Sequence, residues 1–100
     1  MADLDLGDMD RCFDILRAES FGVAFGEAVA QDPDSFGAHI KDNVALGHTM
    51  SLADRGWAHA EQSRILRKFN ALMTQFDVIV LPTSPVSPFA WTQSYADEID

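Results

Sequence analysis

Residues 51–75, SLADRGWAHAEQSRILRKFNALMTQ, carry the longest helical pattern in the chain. Ser51 and Asp54 have the spacing of a capping box, although aspartate is a shorter arm than the usual glutamate. Apolar residues then lie on one face of an amphipathic helix: Ala58, Ile65, Phe69, Leu72, Met73 and Phe76. We therefore predict one long helix that begins after Ser51 and ends at about Gln75.

Two further helical patterns precede this one. The first begins at Asp8, which has the position of an N-cap, and its apolar stripe continues in slightly shifted form to Val29. Ser20, with glycines close behind it, predicts a kink or a short break. Asp32 predicts the end of this helical unit, because the residue before a proline, here Pro33, avoids the α conformation.

The second pattern is shorter. Asp34 or Ser35 is placed to cap it, and Ile40 and Val44 lie four residues apart on one face. Gly47 has the position of a C′ glycine, which ends a helix in the left-handed conformation. With the long helix, and with the break expected in the first unit, the chain is predicted to form three or four helices.

The helical spacing of apolar residues ends before the run Val78-Ile79-Val80-Leu81, in which every residue is apolar and which is followed by Pro82. A short apolar run rich in β-branched residues is typical of a strand that is buried on both faces. One strand cannot satisfy its own backbone N–H and C=O groups, and no second strand pattern occurs in the chain. We therefore predict a mainly helical fold with one strand near 77–81, which forms one flank of a larger α/β sheet or pairs with another chain.

The length and the net charge of the chain exclude some classes of function. One hundred residues allow one modest core, and 7 basic against 16 acidic residues give a net charge of -9. Such a chain is repelled by nucleic acids and by anionic membrane surfaces. The acidic residues near the ends, Asp3, Asp97, Glu98 and Asp100 among them, are expected to be solvated. A single cysteine and an acidic start predict a cytoplasmic location.

Residues 76–89, FDVIVLPTSPVSPF, resemble the amidase signature family, whose members carry an aromatic-Asp-hydrophobic strand, then Pro-Thr, then a Pro-Phe pair. Residues 13–18, FDILRA, are similar to that family's F-x-x-L-R-A helix. Residues 43–47, NVALG, a Ser cap and a long helix with Ala60 and Arg64 follow in the family's order, and Trp91 with residues 95–100 resembles a segment that precedes a glycine turn. The resemblance covers nearly the whole chain and rests on the order and spacing of these motifs.

The resemblance implies amide-bond hydrolysis by a Ser nucleophile, a bridging Ser in a cis peptide and a Lys. This chain has no Ser-Ser pair and no Gly-Gly pair, and neither Lys41 nor Lys68 lies near a serine cluster. We therefore expect residues 1–100 to be a single partial domain, the C-terminal part of an amidase, with no catalytic residue of its own and no cofactor. The resemblance further implies that Phe89 or Trp91 lines the substrate pocket of the complete enzyme.

Other reactive residue types have structural explanations. Cys12 lies on the apolar face of the first helix and is expected to be a core residue. The spacing of the histidines does not fit a metal site on one helix: His39, His48 and His59. Ser84 has no nearby base, so it is expected to be a loop hydroxyl. The three prolines at 82, 85 and 88 lack the basic neighbours that proline-rich ligands usually carry.

An interaction module remains the alternative to an amidase part. In that case the chain would self-associate through the strand near 77–81, whereas in an amidase this strand would pair with the catalytic core. The DNA upstream of Met1 distinguishes the two, because an amidase requires a Gly/Ser-rich segment with a Ser-Ser pair there.

Overall fold

Three α-helices form the body of the molecule. The structure is a computed structural model and describes residues 5–96, so that Asp3, Asp97, Glu98 and Asp100 lie outside it. The helices are α1 (Met9–Gln31), α2 (Ala38–Thr49) and α3 (Leu52–Met73), with a 3-10 turn at Pro33–Ser35. The prediction of a mainly helical chain is confirmed. None of these helices is long and apolar enough to pass through a membrane.

Helix α1 is continuous through Ser20, so the predicted break there is wrong. The aromatic rings of Phe21 and Phe25 lie one turn apart with centroids 5.5 Å from each other, and their contact supports the helix across the glycine-containing stretch. The predicted N-cap position, Asp8, is correct, although its side chain makes no capping hydrogen bond. The helix ends immediately before Asp32, as predicted.

Helix α2 begins and ends later than predicted. Asp34 and Ser35 do not cap it, because they belong to the 3-10 turn, and the N-cap position is taken by Gly37 in an extended conformation. Gly47 does not end the helix but lies inside it, buried and without a positive φ. Its role is steric: a Cβ atom there would lie 2.5 Å from the carbonyl oxygen of Ala18 in α1.

Helix α3 has the capping box predicted for it. The backbone N–H of Asp54 donates to the Ser51 hydroxyl at 3.0 Å, and the Ser51 N–H donates to the Asp54 carboxylate at 2.9 Å. The helix ends at Met73, two residues before the predicted end at Gln75, whose N–H closes a tighter turn onto the carbonyl of Leu72.

Helix α1 lies between the other two and packs against both. Helices α1 and α3 meet where the Cys12 thiol donates to the Ala58 carbonyl, and a contact between Glu19 and His59 joins them further along α1. The core between the helices is small and contains no large side chain that is fully enclosed. Its buried apolar residues are Cys12, Ile15, Ala18, Val44 and Ala58.

The apolar stripe of α3 turns only partly toward α1. Ala58 is fully buried, whereas Met73 is 44% exposed. On α1, Phe13 does not meet this stripe either, because its ring is 57% exposed beneath the guanidinium of Arg17, 4.9 Å from the ring centroid. The carboxyl-terminal part of α3 therefore carries apolar side chains that α1 does not cover.

The strand predicted at 77–81 is not formed, and residues 5–96 contain no strand. A strand needs a second strand to pair with, and the described residues contain none. Val78, Val80 and Leu81 are 72%, 91% and 70% exposed. A run with the composition of a buried strand thus lies on the surface of the isolated chain.

Candidate functional site

The segment that follows α3 contains the residues predicted to line a substrate pocket. Phe89 is 45% exposed and Trp91 is 93% exposed. Neither residue lines either of the two clefts described below. In the single chain these two rings are therefore separate from both clefts.

The larger cleft, about 500 Å³, lies among the three helices. Its charged side chains are already paired: Arg11 stacks on Trp57 at 4.1 Å and lies 3.8 Å from Asp54, and Asp14 bonds Arg17 at 2.9 Å. No serine, cysteine, lysine or histidine lines it, and the hydroxyl of Thr49 donates to the carbonyl of Leu46 at 2.8 Å within its own helix. Its lining residues are Arg11, Asp14, Ile15, Leu46, Thr49, Met50 and Asp54.

The smaller cleft, about 190 Å³, lies where α2 and α3 meet α1. Glu19 at its edge contacts the Nε2 atom of His59 at 2.9 Å, and Arg55 donates to the carbonyl of Gly47 at 3.1 Å. These contacts join the helices to one another. The arrangement holds an acid and an imidazole in contact but places no nucleophile beside them.

The side chains of Cys12 and Ser84 both make hydrogen bonds with the backbone, as expected for structural residues. The Cys12 thiol is buried and donates to the carbonyl oxygen of Ala58 at 3.2 Å, and this burial raises the pKa of the thiol. A buried thiol with a raised pKa is a poor nucleophile. The Ser84 hydroxyl bonds the backbone of Val86 within its own loop. The described residues contain no group of three side chains suited to hold a metal ion.

The capping box gives the chain a pH dependence. The hydrogen bonds from the Ser51 hydroxyl and N–H lower the pKa of Asp54 below its ordinary 3.8. A depressed pKa stabilises the fold at pH values above the ordinary one, and this contribution is lost as the pH falls through the lowered value.

We therefore expect Asp54→Asn to reduce the loss of stability that acidification below pH 3.8 causes in the unmodified chain. Urea unfolding at a series of acidic pH values measures this slope. Asp34→Asn, which removes a carboxylate from the 3-10 turn without touching the cap, is the control. An equal slope in Asp54→Asn and in the unmodified chain would show that the cap does not contribute.

Leu66 is the surface residue that the sequence analysis omitted. Its side chain is 59% exposed on α3, outside the predicted apolar stripe, which contains the neighbouring Ile65. Leu66, Phe69 and Met73 have successive spacings of three and four residues, which are typical of a helix-packing face.

Comparisons of this chain with protein-family profiles, with curated proteins and with solved structures give no match.

Proposed function

We propose that this chain is a non-catalytic docking part of an amidase-signature amidohydrolase, whose Ser-Ser-Lys centre is supplied by other polypeptide. The observation that carries the proposal is the exposed apolar run at residues 78–81, attached to a helical body with too little core of its own. The family resemblance of residues 76–89 supplies the class of enzyme. Neither cleft is lined by a serine or a lysine, the residue types of the family's catalytic centre, which agrees with a docking role.

The surface area supports a missing partner. The accessible surface is 7892 Å². A compact protein of 11.0 kDa exposes roughly 5,600 Å², so this chain exposes about 2,300 Å² more. Its radius of gyration, 17.2 Å, likewise exceeds the roughly 13 Å of a compact 100-residue domain. An excess of this size is larger than the approximately 800 Å² that each partner buries in an ordinary stable interface.

The run at residues 78–81 is the part of that surface best suited to a sheet. Its side chains are apolar and mostly β-branched, and it carries no charge and no internal proline. On docking, we propose that residues 77–81 form the strand that the isolated chain lacks, beside strands of an amidase core. Phe89 and Trp91 would then be carried to the substrate side, where their exposed rings form part of the pocket wall.

A second candidate function is self-association through residues 78–81. Only the composition of this run, which is uncharged and prone to form a strand, favours it. An uncharged β-prone edge pairs with any available edge, including that of a second copy, and a two-fold dimer would use up both edges. The net charge of -9 opposes this pairing, and salt would reduce the repulsion. Val80→Lys should weaken such a dimer, because it places a charge in the paired strand.

The test of the proposed function is an activity assay of the chain alone. We expect no turnover of simple amides or esters above the buffer rate, and no stoichiometric labelling by a serine-directed fluorophosphonate. A complete amidase-signature enzyme, assayed in parallel, provides the positive control. Stoichiometric labelling of any serine in this chain would contradict the proposal.

A further inference from the structure

Two basic side chains of α3 hold the segment that precedes α1, residues 5–7. The Lys68 Nζ atom donates to the carbonyl oxygen of Asp5 at 2.6 Å and to its carboxylate at 3.1 Å. The Arg64 Nη2 atom donates to the carbonyl oxygen of Leu6 at 3.1 Å. The two cations therefore bind one carboxylate and two successive backbone carbonyl groups.

The guanidinium of Arg64 is held in place by a neighbouring carboxylate. Glu61, one turn earlier on α3, accepts hydrogen bonds from the Nε and Nη2 atoms of Arg64 at 2.8 and 2.6 Å. The Glu61 side chain is only 13% exposed, and a two-point contact of this kind fixes the plane of a guanidinium. Lys68 lies four residues after Arg64 and therefore on the same side of the helix. The two donor groups form a prearranged pair.

The backbone of the bound segment is shaped for this contact. Gly7 has a φ of +58°, which favours glycine, and its N–H donates to the Asp5 carboxylate at 2.8 Å. A Cβ atom at Gly7 would meet the guanidinium of Arg64, so the backbone itself lies against the cation. Recognition of the segment thus depends on a carboxylate, two carbonyl groups and a glycine that lets the chain approach closely.

We propose that Arg64 and Lys68 form a binding site for an acidic peptide segment of the type Asp-x-Gly. Residues 5–7 occupy this site within the chain until the corresponding segment of a partner protein displaces them. The segment that is bound in the structure defines the chemistry of the ligand. The proposal does not depend on the proposed function, because a chain with no amidase relationship would have the same site.

The internal contact is weak enough to be displaced. The side chains of Asp5 and Lys68 are 79% and 36% exposed, and ion pairs that water reaches contribute little to stability. Asp5 and Gly7 are exposed and Leu6 is half-buried, so the segment adds little to the core. Its release therefore leaves the three helices in contact with one another.

The net charge of the chain, -9, repels an acidic peptide at long range. At an ionic strength of about 0.1 M, interactions between exposed charges more than about 10 Å apart are largely screened. Direct contacts with Arg64 and Lys68 are shorter than this distance. Binding at this ionic strength therefore depends on these two cations.

Titration of the full chain with the acetylated and amidated peptide Asp-Leu-Asp-Leu-Gly-Asp, the sequence of residues 3–8, tests the proposal. Heteronuclear NMR at this ionic strength follows the Nε–H group of Arg64, for which we expect a saturable shift. Gly7→Val should bind the peptide about threefold or more tightly than the unmodified chain, because it opens the internal contact without changing the charge. Equal affinity of the two chains, or no saturable shift in either, would overturn the proposal.

Two charge reversals locate the site on α3. Lys68→Glu should weaken binding of the peptide by about tenfold, because it places like charges together. The matched control is Arg67→Glu, which makes the same change of charge at the next residue, outside the described contacts of residues 5–7, and should weaken binding far less. An unchanged helical circular dichroism spectrum shows that both variants fold. Equal losses in the two variants would overturn the proposal, because the peptide would then respond only to the overall positive charge of α3.

Discussion

Replacing Gly47 with alanine should lower the free energy of unfolding by about 2 kcal/mol, since overpacking a tight contact typically costs about 1–3 kcal/mol. The new Cβ atom would lie 2.5 Å from the carbonyl oxygen of Ala18, and a backbone atom cannot move aside as a flexible side chain can. The helices α1 and α2 would have to separate at their crossing. Urea unfolding followed by circular dichroism measures the change.

The matched control is Gly56→Ala in α3. Gly56 is also inside a helix, but an added Cβ atom there meets nothing within 4 Å. Alanine is the better helix former by about 1 kcal/mol, so this variant should be more stable than the unmodified chain. Opposite signs for the two variants would establish the close crossing. A gain in stability from both would show that α1 and α2 do not approach closely at Gly47.

Replacing Ile15 with alanine should cost about 2–4 kcal/mol, the range typical of removing a large buried aliphatic side chain. Ile15 is 7% exposed and is the largest side chain among the buried residues that join α1 to α3. Small domains have only about 5–15 kcal/mol of stability in total, and the core of this one is small. The variant is therefore expected to be largely unfolded at temperatures where the unmodified chain remains helical.

Val23→Ala provides the comparison on the same helix. Val23 is also β-branched, but it is 84% exposed, so its truncation should change the stability by less than about 0.5 kcal/mol. Thermal unfolding of the two variants side by side measures the difference. Similar melting temperatures would mean that Ile15 does not lie in the core and that α1 faces α3 differently.

Local signals predicted the helices well, because their causes lie within a few residues of each other. The Ser51–Asp54 capping box and the stop before Pro33 depend only on neighbouring backbone and side chains. Gly47 was interpreted incorrectly for the opposite reason: a glycine after an apolar stripe is typical of a helix end, and only the position of Ala18, far away in sequence, shows that it serves a close crossing.

The strand near 77–81 shows a second limit of sequence patterns. The composition of this run is typical of a strand in the interior of a sheet. The described part of the single chain contains no strand that it could join. Phe89 and Trp91 are likewise exposed and line neither of the two clefts. A sequence pattern indicates the surroundings that suit a segment, but it does not show whether the same chain supplies them.

Sequencing the DNA on the 5′ side of the Met1 codon tests most directly whether this chain is a docking part of an amidase. The account predicts that this DNA encodes a catalytic segment, with a lysine and a Gly/Ser-rich stretch that includes a Ser-Ser pair, in the same or an adjacent reading frame. Upstream DNA that encodes no such segment over the length of an ordinary catalytic domain would contradict the account.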